Sequence, residues 1–297
     1  MKLFDLHCDT VTEAFRQQKP LDAFTLPFRT MPYEKWAQTI AFFLNDTLRE
    51  HGWMYLQNAR AYFDAERRRT CPQFADWDAP DADFRFLPAV ENCGWICGDE
   101  ARVDALAQMG MKMLSLCWNG DNPLCGGSHG DGRGLSEQGR RVLRRMRRLR
   151  LVTDVSHASD ATFDDLCRMT DEPFVATHSN ARALCGHRRN LSDDRIRELC
   201  RRGGLIGVNF YTAFLHETQT ERPYELVCAH LERIFSLGGE RCSAIGSDFD
   251  GAVIAPELRE NLCGLYEAVR ERFGKEQADR VFYDNAQAFF SRFWAEK

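Results

Sequence analysis

No stretch of the sequence reaches 18 uninterrupted apolar residues, so no segment reads as a membrane span. Positive charge is not in excess. Lys and Arg number 39 against 44 Asp and Glu, and a formal net charge of −5 gives no electrostatic footprint for nucleic acid. There is no Pro/Gly/Ser-rich linker, internal repeat or low-complexity tract to divide the chain. No glycine-rich phosphate-binding motif follows a strand-like run, which argues against nucleotide-dependent redox chemistry. The first ten residues lack a basic segment followed by an apolar run, and the terminal FFSRFWAEK is too short and too charged for a lipid-anchor signal. The expectation is a cytoplasmic protein, one domain over residues 1–297, with no membrane or nucleic-acid partner.

Cysteine, by contrast, is abundant. In a cytoplasmic chain the twelve cysteines are expected to be reduced thiols. Cys93 and Cys97 are spaced CxxxC rather than CxxC, and most of the others, such as Cys117 and Cys242, sit in apolar surroundings as small buried hydrophobes. A hydrophobic content of 44% allows a full core, and 297 residues suit a single α/β barrel.

Short apolar runs alternate with amphipathic stretches. Strands are expected at Leu3–His7, Thr39–Leu44, Arg85–Val90, Lys112–Cys117, Leu151–Val155, Phe174–Thr177, Leu205–Phe210 and Ala244–Ser247. Several are continuous apolar runs, as parallel strands buried on both faces should be. Helices are expected at Ala101–Gln108, Glu137–Arg150, after a Ser192 cap, at Tyr224–Leu237 and at Glu257–Arg272. In RRVLRRMRRLR the apolar residues keep helical spacing, so the arginines form a solvated face. Eight strands alternating with helices predict a (β/α)8 barrel, the TIM barrel of the α/β class. The connection after the first strand and the segment Asn45–Asp83 are long enough to read as insertions over the barrel mouth.

The first strand ends in FDLHCDT. On a strand, residues i and i+2 point to one side, so His7 and Asp9 would face together and Cys8 away. The later strand ends carry Glu91 (FLPAVEN), His157 (LVTDVSH), His178 (FVATHS) and Asp248 (AIGSDFDG). In a barrel these positions converge on the C-terminal face, where active sites form. Three of the eight histidines stand at such ends. His51, His129, His187, His216 and His230 fall in loops or helices and read as ordinary, and Asp154 and Asp250 have no evident role. His7 with Asp9 would hold one metal, His157 with His178 a second, and Glu91 would bridge them. Two zinc ions sharing a water lower its pKa toward 7, and Asp248 is placed to shuttle the proton to a leaving nitrogen. That is hydrolysis of an amide or ester.

DLHCDT, AVEN, DVSHAS, THSNARALCGHRRNLSDD, GVNFY and GSDFDG together resemble the membrane (renal) dipeptidase family of zinc dipeptidases in the amidohydrolase superfamily, and its soluble microbial members in particular. The resemblance runs over nearly the whole chain. It implies a (β/α)8 barrel, two Zn2+ per chain, hydrolysis of dipeptides through a metal-bridging hydroxide, and a homodimer. It implies His7, Asp9, Glu91, His157 and His178 as metal ligands, Asp248 and Glu91 as catalytic groups, and Arg189 of HRRN as the residue that holds the substrate's C-terminal carboxylate. Arginine suits that task because it binds a carboxylate bidentately and stays charged; Arg188 is read as its outward neighbour. Animal members carry a histidine after the fourth strand that contacts substrate. Here the stretch reads SLCWNGDNP, with Trp118 and Asn119, which are expected with Tyr211 of GVNFY to line the substrate. Trp118 can donate one N–H and pack on a side chain but cannot act as an imidazole. Two alternatives remain open: a related binuclear zinc amidohydrolase acting on an N-acyl amino acid or lactam, and a metal-bound scaffold that binds partners. A scaffold would have no use for a proton shuttle.

Overall fold

The computed structural model describes residues 1–25, 33–48, 50–79, 82–218 and 221–295. Nine strands run in chain order: β1 Lys2–Cys8, β2 Lys35–Phe43, β3 Ala75–Asp76, β4 Phe84–Glu91, β5 Met113–Ser115, β6 Val152–Asp154, β7 Val175–Ala176, β8 Leu205–Val208 and β9 Ser243–Ile245. All their pairings are parallel. β2 pairs with both β1 and β4, which closes a ring of eight strands, and the two-residue β3 lies outside it on β4. The expected (β/α)8 barrel is present.

Residues that alternate along the strands separate two cores. Phe4, Leu6, Leu87, Ala89, Val152, Leu205 and Ala244 point into the barrel, and Phe289, Phe290 and Phe293 of the helix Asn285–Ala295 pack against them. Phe4 stacks on Phe290 at 5.3 Å, so this helix plugs the end of the barrel where the strands begin. The second core fills the space between the strands and the outer helices. In the helix Glu137–Arg148, Val142, Leu143 and Met146 are buried, while Arg140 and Arg145 reach Asp165 and Asp104 at the surface. The arginine run is therefore a solvated face, as its spacing requires.

Three expectations change. The region after Asn45 is not an insertion over the mouth. It contains the helix Gly52–Thr70, whose buried Leu56, Ala59 and Phe63 pack on the barrel; Phe63 meets Phe86 at 4.9 Å. Its alternating arginines and aromatics hide the apolar stripe. The first strand is followed at once by a helix, Thr10–Gln17, and not by a long loop; residues 26–32 lie outside the described residues. The expected helix Glu257–Arg272 is two helices, Pro256–Glu260 and Leu262–Phe273, because Asn261 turns the backbone (φ −140°, ψ 69°) and its side chain accepts from Gly264 N–H. None of the twelve cysteines forms a disulfide. No described helix is long and apolar enough to cross a membrane.

Candidate metal centre and cleft

The strands end early, and the functional side chains sit on the first residues beyond them. Glu91 closes β4, whereas His157, His178 and Asp248 follow β6, β7 and β9. His157, Asp248, Asp250 and Asn92 have φ of 73°, 61°, 66° and 71°. These are half of the described non-glycine residues in the left-handed region, and strain of that kind gathers at functional sites. Simple alternation does not explain Asp9. β1 stops at Cys8, its register shifts between Asp5 and Cys8, and Asp9 is the cap residue of the next helix, its N–H bonded to Phe249 O at 2.8 Å. This irregular turn brings Asp9 Oδ2 to 3.5 Å from His7 Nε2. Gly251 leaves room for it, since a Cβ there would lie 1.9 Å from Asp9 Oδ2.

The donor atoms form overlapping triplets. His7, Asp9 and Glu91 are one, Glu91, His157 and His178 a second, and His7, His178 and Asp248 a third, with all atoms of a triplet within 4.8 Å of one another. The first two share Glu91 and match the grouping expected from sequence. Whether a cation fits can be judged from the hydrogens. His157 Nδ1 lies 2.9 Å from Asn119 Oδ1, an acceptor, so Nδ1 carries the proton. Thr177 Oγ1 donates to Asp154 Oδ2 at 2.6 Å and therefore accepts from His178 Nδ1 at 2.8 Å. Both Nε2 lone pairs then face the centre. They are 2.9 Å apart, and His157 Nε2 is 2.7 Å from Glu91 Oε1. His7 Nε2 and Asp9 Oδ1 are buried without a hydrogen-bond partner. Acceptors this close repel unless a cation lies among them. The donor set fits divalent metal.

Protonation agrees. Burial pushes His157 and His178 well below the usual imidazole range, with Arg189 and His7 adding to it, so both stay in the neutral form that a metal ligand requires. Burial pushes Glu91 up to about 8, with Asp9 and Asp248 reinforcing it against His7 and Arg189. His7 is pushed down by burial, yet Glu91, Asp9 and Asp248 lift it to about 10. The protein alone offsets its carboxylates with a proton on His7; a metal ion does so with more charge.

Above the centre opens a cleft of about 530 Å3. All four residues expected to face substrate line it. Arg189 is 4% exposed while Arg188 is exposed, so HRRN turns the second arginine inward. Arg189 Nη2 reaches His178 O at 3.4 Å, its guanidinium lies 5.4 Å from the Phe214 ring, and its Nε has no partner. Burial lowers its pKa, and Asp248 and Glu91 raise it. Trp118 packs on Phe43 at 5.1 Å. Asn119 lines the cleft and also orients His157, and Tyr211 donates its N–H to Asn209 Oδ1 at 2.6 Å.

Several residues were missed in the sequence. His129 and His187 line the cleft although they read as ordinary; the position of His187 two residues before Arg189 was an available signal. Asp154 supports His178 through Thr177. Asp250 accepts from the hydroxyls of Thr10 and Thr25 at 2.6 and 2.5 Å. Asn209 donates to Asp248 Oδ2 at 2.9 Å, which leaves Oδ1 turned toward His7 at 3.8 Å.

Residues 71–288 match the model of the family described as membrane dipeptidase, peptidase family M19. The chain belongs to that family and is a hydrolase of the metallopeptidase class. It is 32% identical over 206 residues to an uncharacterized protein encoded beside pqqA in Klebsiella pneumoniae, covering 65% of this chain and 76% of that one. It is also 32% identical over 160 residues to an uncharacterized dipeptidase of Schizosaccharomyces pombe, where the match spans 52% of this chain and 38% of the relative. Two solved structures show the same fold over 99% of both chains. One is the dipeptidase AC, a metallopeptidase of family M19 (TM-score 0.90, 24% identity). The other is a metallopeptidase from Rhodobacter sphaeroides liganded with a phosphinate mimic of the dipeptide L-Ala-D-Ala (TM-score 0.87, 22% identity).

Proposed function

We propose that this protein is a zinc dipeptidase that cleaves its substrate with a metal-bridging hydroxide. The observation that carries the reading is the joining of two ligand triplets through Glu91 beneath a cleft that also holds Arg189 and Asp248. His7 and Asp9 would hold one ion, His157 and His178 the other, and Glu91 both. When bound, such a pair supplies Lewis acidity and lowers the pKa of a shared water.

The remaining tasks fall to the chain. Arg189, dry and backed by Phe214, offers a fork of N–H donors to the free carboxylate of a dipeptide. Asn209 holds one oxygen of Asp248, so the other is free to take a proton from the attacking water and deliver it to the departing amine. Trp118 and Phe43 form an apolar surface for a side chain. The family resemblance adds a homodimer to the proposal, to be tested by mass in solution. The decisive experiment is a metal count on purified protein combined with hydrolysis of a dipeptide panel, with N-acyl amino acids as comparison. Two zinc ions and turnover of dipeptides are expected. Turnover of N-acyl amino acids alone would redirect the assignment.

A further inference from the structure

We propose that the rim of the cleft beside Arg189 is a subsite for an acidic side chain on the C-terminal residue of the substrate, an inference that rests on the dipeptidase reading above. Two residues lining this rim, His129 and His187, are left over once the metal ligands, Asp248 and Arg189 have been given their tasks, and the exposed Arg188 lies near enough for its charge to act on both.

His129 and His187 line the same cleft as Arg189, with ring centroids 5.6 Å apart. The Arg189 backbone N–H donates to His187 Nδ1 at 3.2 Å. In the neutral ring Nε2 must then carry the hydrogen, so His187 presents a donor. The loop bearing His129 is pinned to the centre, since His129 N–H donates to Asn119 O at 2.8 Å and Ser128 N–H to His157 O at 2.7 Å. Arg188 is exposed and makes no ion pair among the described residues.

The cleft also holds carboxylates, among them Asp9, Glu91 and Asp248, but the charges that act on these two imidazoles are cationic. Apart from burial, the groups acting on them are Arg188, Arg189 and, for His187, His129 itself, all of which favour the neutral ring. The nearby acids are engaged elsewhere: Glu217 accepts from Gly186 N–H at 3.1 Å, and Asp121 accepts from the N–H groups of Gly127 and Asp131 at 3.0 and 3.1 Å. The His187 N–H donor, with His129 alongside it and a guanidinium that makes no ion pair nearby, suits a carboxylate and repels an ammonium group. In a dipeptide whose α-carboxylate lies on Arg189, the side chain closest to this rim is that of the C-terminal residue. Aspartate or glutamate there supplies the second carboxylate. The wall beside His157 is aromatic instead, with Trp118 at 6.1 Å.

The test compares kcat/KM for Ala-Asp, Ala-Asn and Ala-Lys, with the second residue of either configuration, in the zinc-loaded wild type, Arg188→Met and His129→Ala. Wild type should favour Ala-Asp over Ala-Asn by about fivefold, the upper range for a partly exposed charge pair. The preference should shrink with added salt, appear mainly in KM, and fall toward unity in Arg188→Met, with His129→Ala reducing it independently. A wild-type ratio at or below one, or a ratio unchanged in both variants, overturns the subsite while leaving the dipeptidase reading in place. Failure to hydrolyse any of the three overturns both.

Discussion

Arg188 and Arg189 are neighbours in sequence and opposites in environment, one exposed and one dry. If Arg189 holds the substrate's carboxylate, Arg189→Met should depress kcat/KM for free dipeptides by about ten- to a hundredfold, the worth of a charge-assisted pair of roughly 1.5–3 kcal/mol. Dipeptide amides, which lack the second anionic oxygen, should start poor and change little. Lysine should restore charge without the fork and recover only part of the loss. Arg188→Met should leave the preference for free acid over amide intact; a larger effect there would move the carboxylate site by one residue. For Asp248, the free oxygen beside the ligand cluster predicts that Asp248→Asn retains its metals and loses about 10²–10⁴ in turnover. A loss below about tenfold, with metals retained, would remove it from proton transfer.

Among the elements, the loop of residues 179–191 that carries Arg189 depends on a histidine from a neighbouring helix. His230, on Pro223–Ser236, accepts from Ala181 N–H at 3.2 Å through Nδ1 and donates from Nε2 to Leu215 O at 2.9 Å. It works only as the neutral ring, and burial lowers its pKa. An unfolded chain would bind its proton first, near pH 6.5. The stability His230 contributes is therefore complete above about pH 6.5 and declines as pH falls toward the folded-state value. His157 and His178 act with the same sign. In His230→Gln, the urea midpoint should lie below wild type at pH 7 but fall less steeply between pH 7 and 5; parallel slopes would mean that another group carries the acid sensitivity. The elements also show how far periodicity reaches. Glu137–Arg148 was legible because its apolar residues keep a clean stripe, and Gly52–Thr70 was not, because arginines and aromatics mask one.

For the whole molecule, two ions at the mouth would join β1, β4 and the loops after β6 and β7, so metal should stabilise the fold as well as the reaction. A ligand that binds only the folded chain at a hundred times its dissociation constant adds about 2.7 kcal/mol. Removal of metal by a chelator should lower Tm, and two equivalents of zinc should restore it. Glu91→Gln should reduce both the stoichiometry and the Tm gain, because Glu91 belongs to both triplets. A wild-type count clearly below two after zinc loading would count against a binuclear centre.

The sequence alone determined the barrel, through continuous apolar runs at regular intervals, and most of the centre, because His7, Glu91, His157, His178 and Asp248 each end or follow such a run. Residue type and distance along the chain are enough for that, since a barrel brings all its strand ends to one face. Direction and support were decided only in three dimensions. The register shift that turns Asp9 toward His7, the inward rotation of Arg189, the hold of Asn119 on His157 and of Asp154 on the Thr177 hydroxyl behind His178, and the gathering of His129 and His187 at the rim all depend on segments from different strands meeting. Loop conformation follows from hydrogen bonds between residues far apart in the chain, and such pairs leave no periodic trace in the sequence.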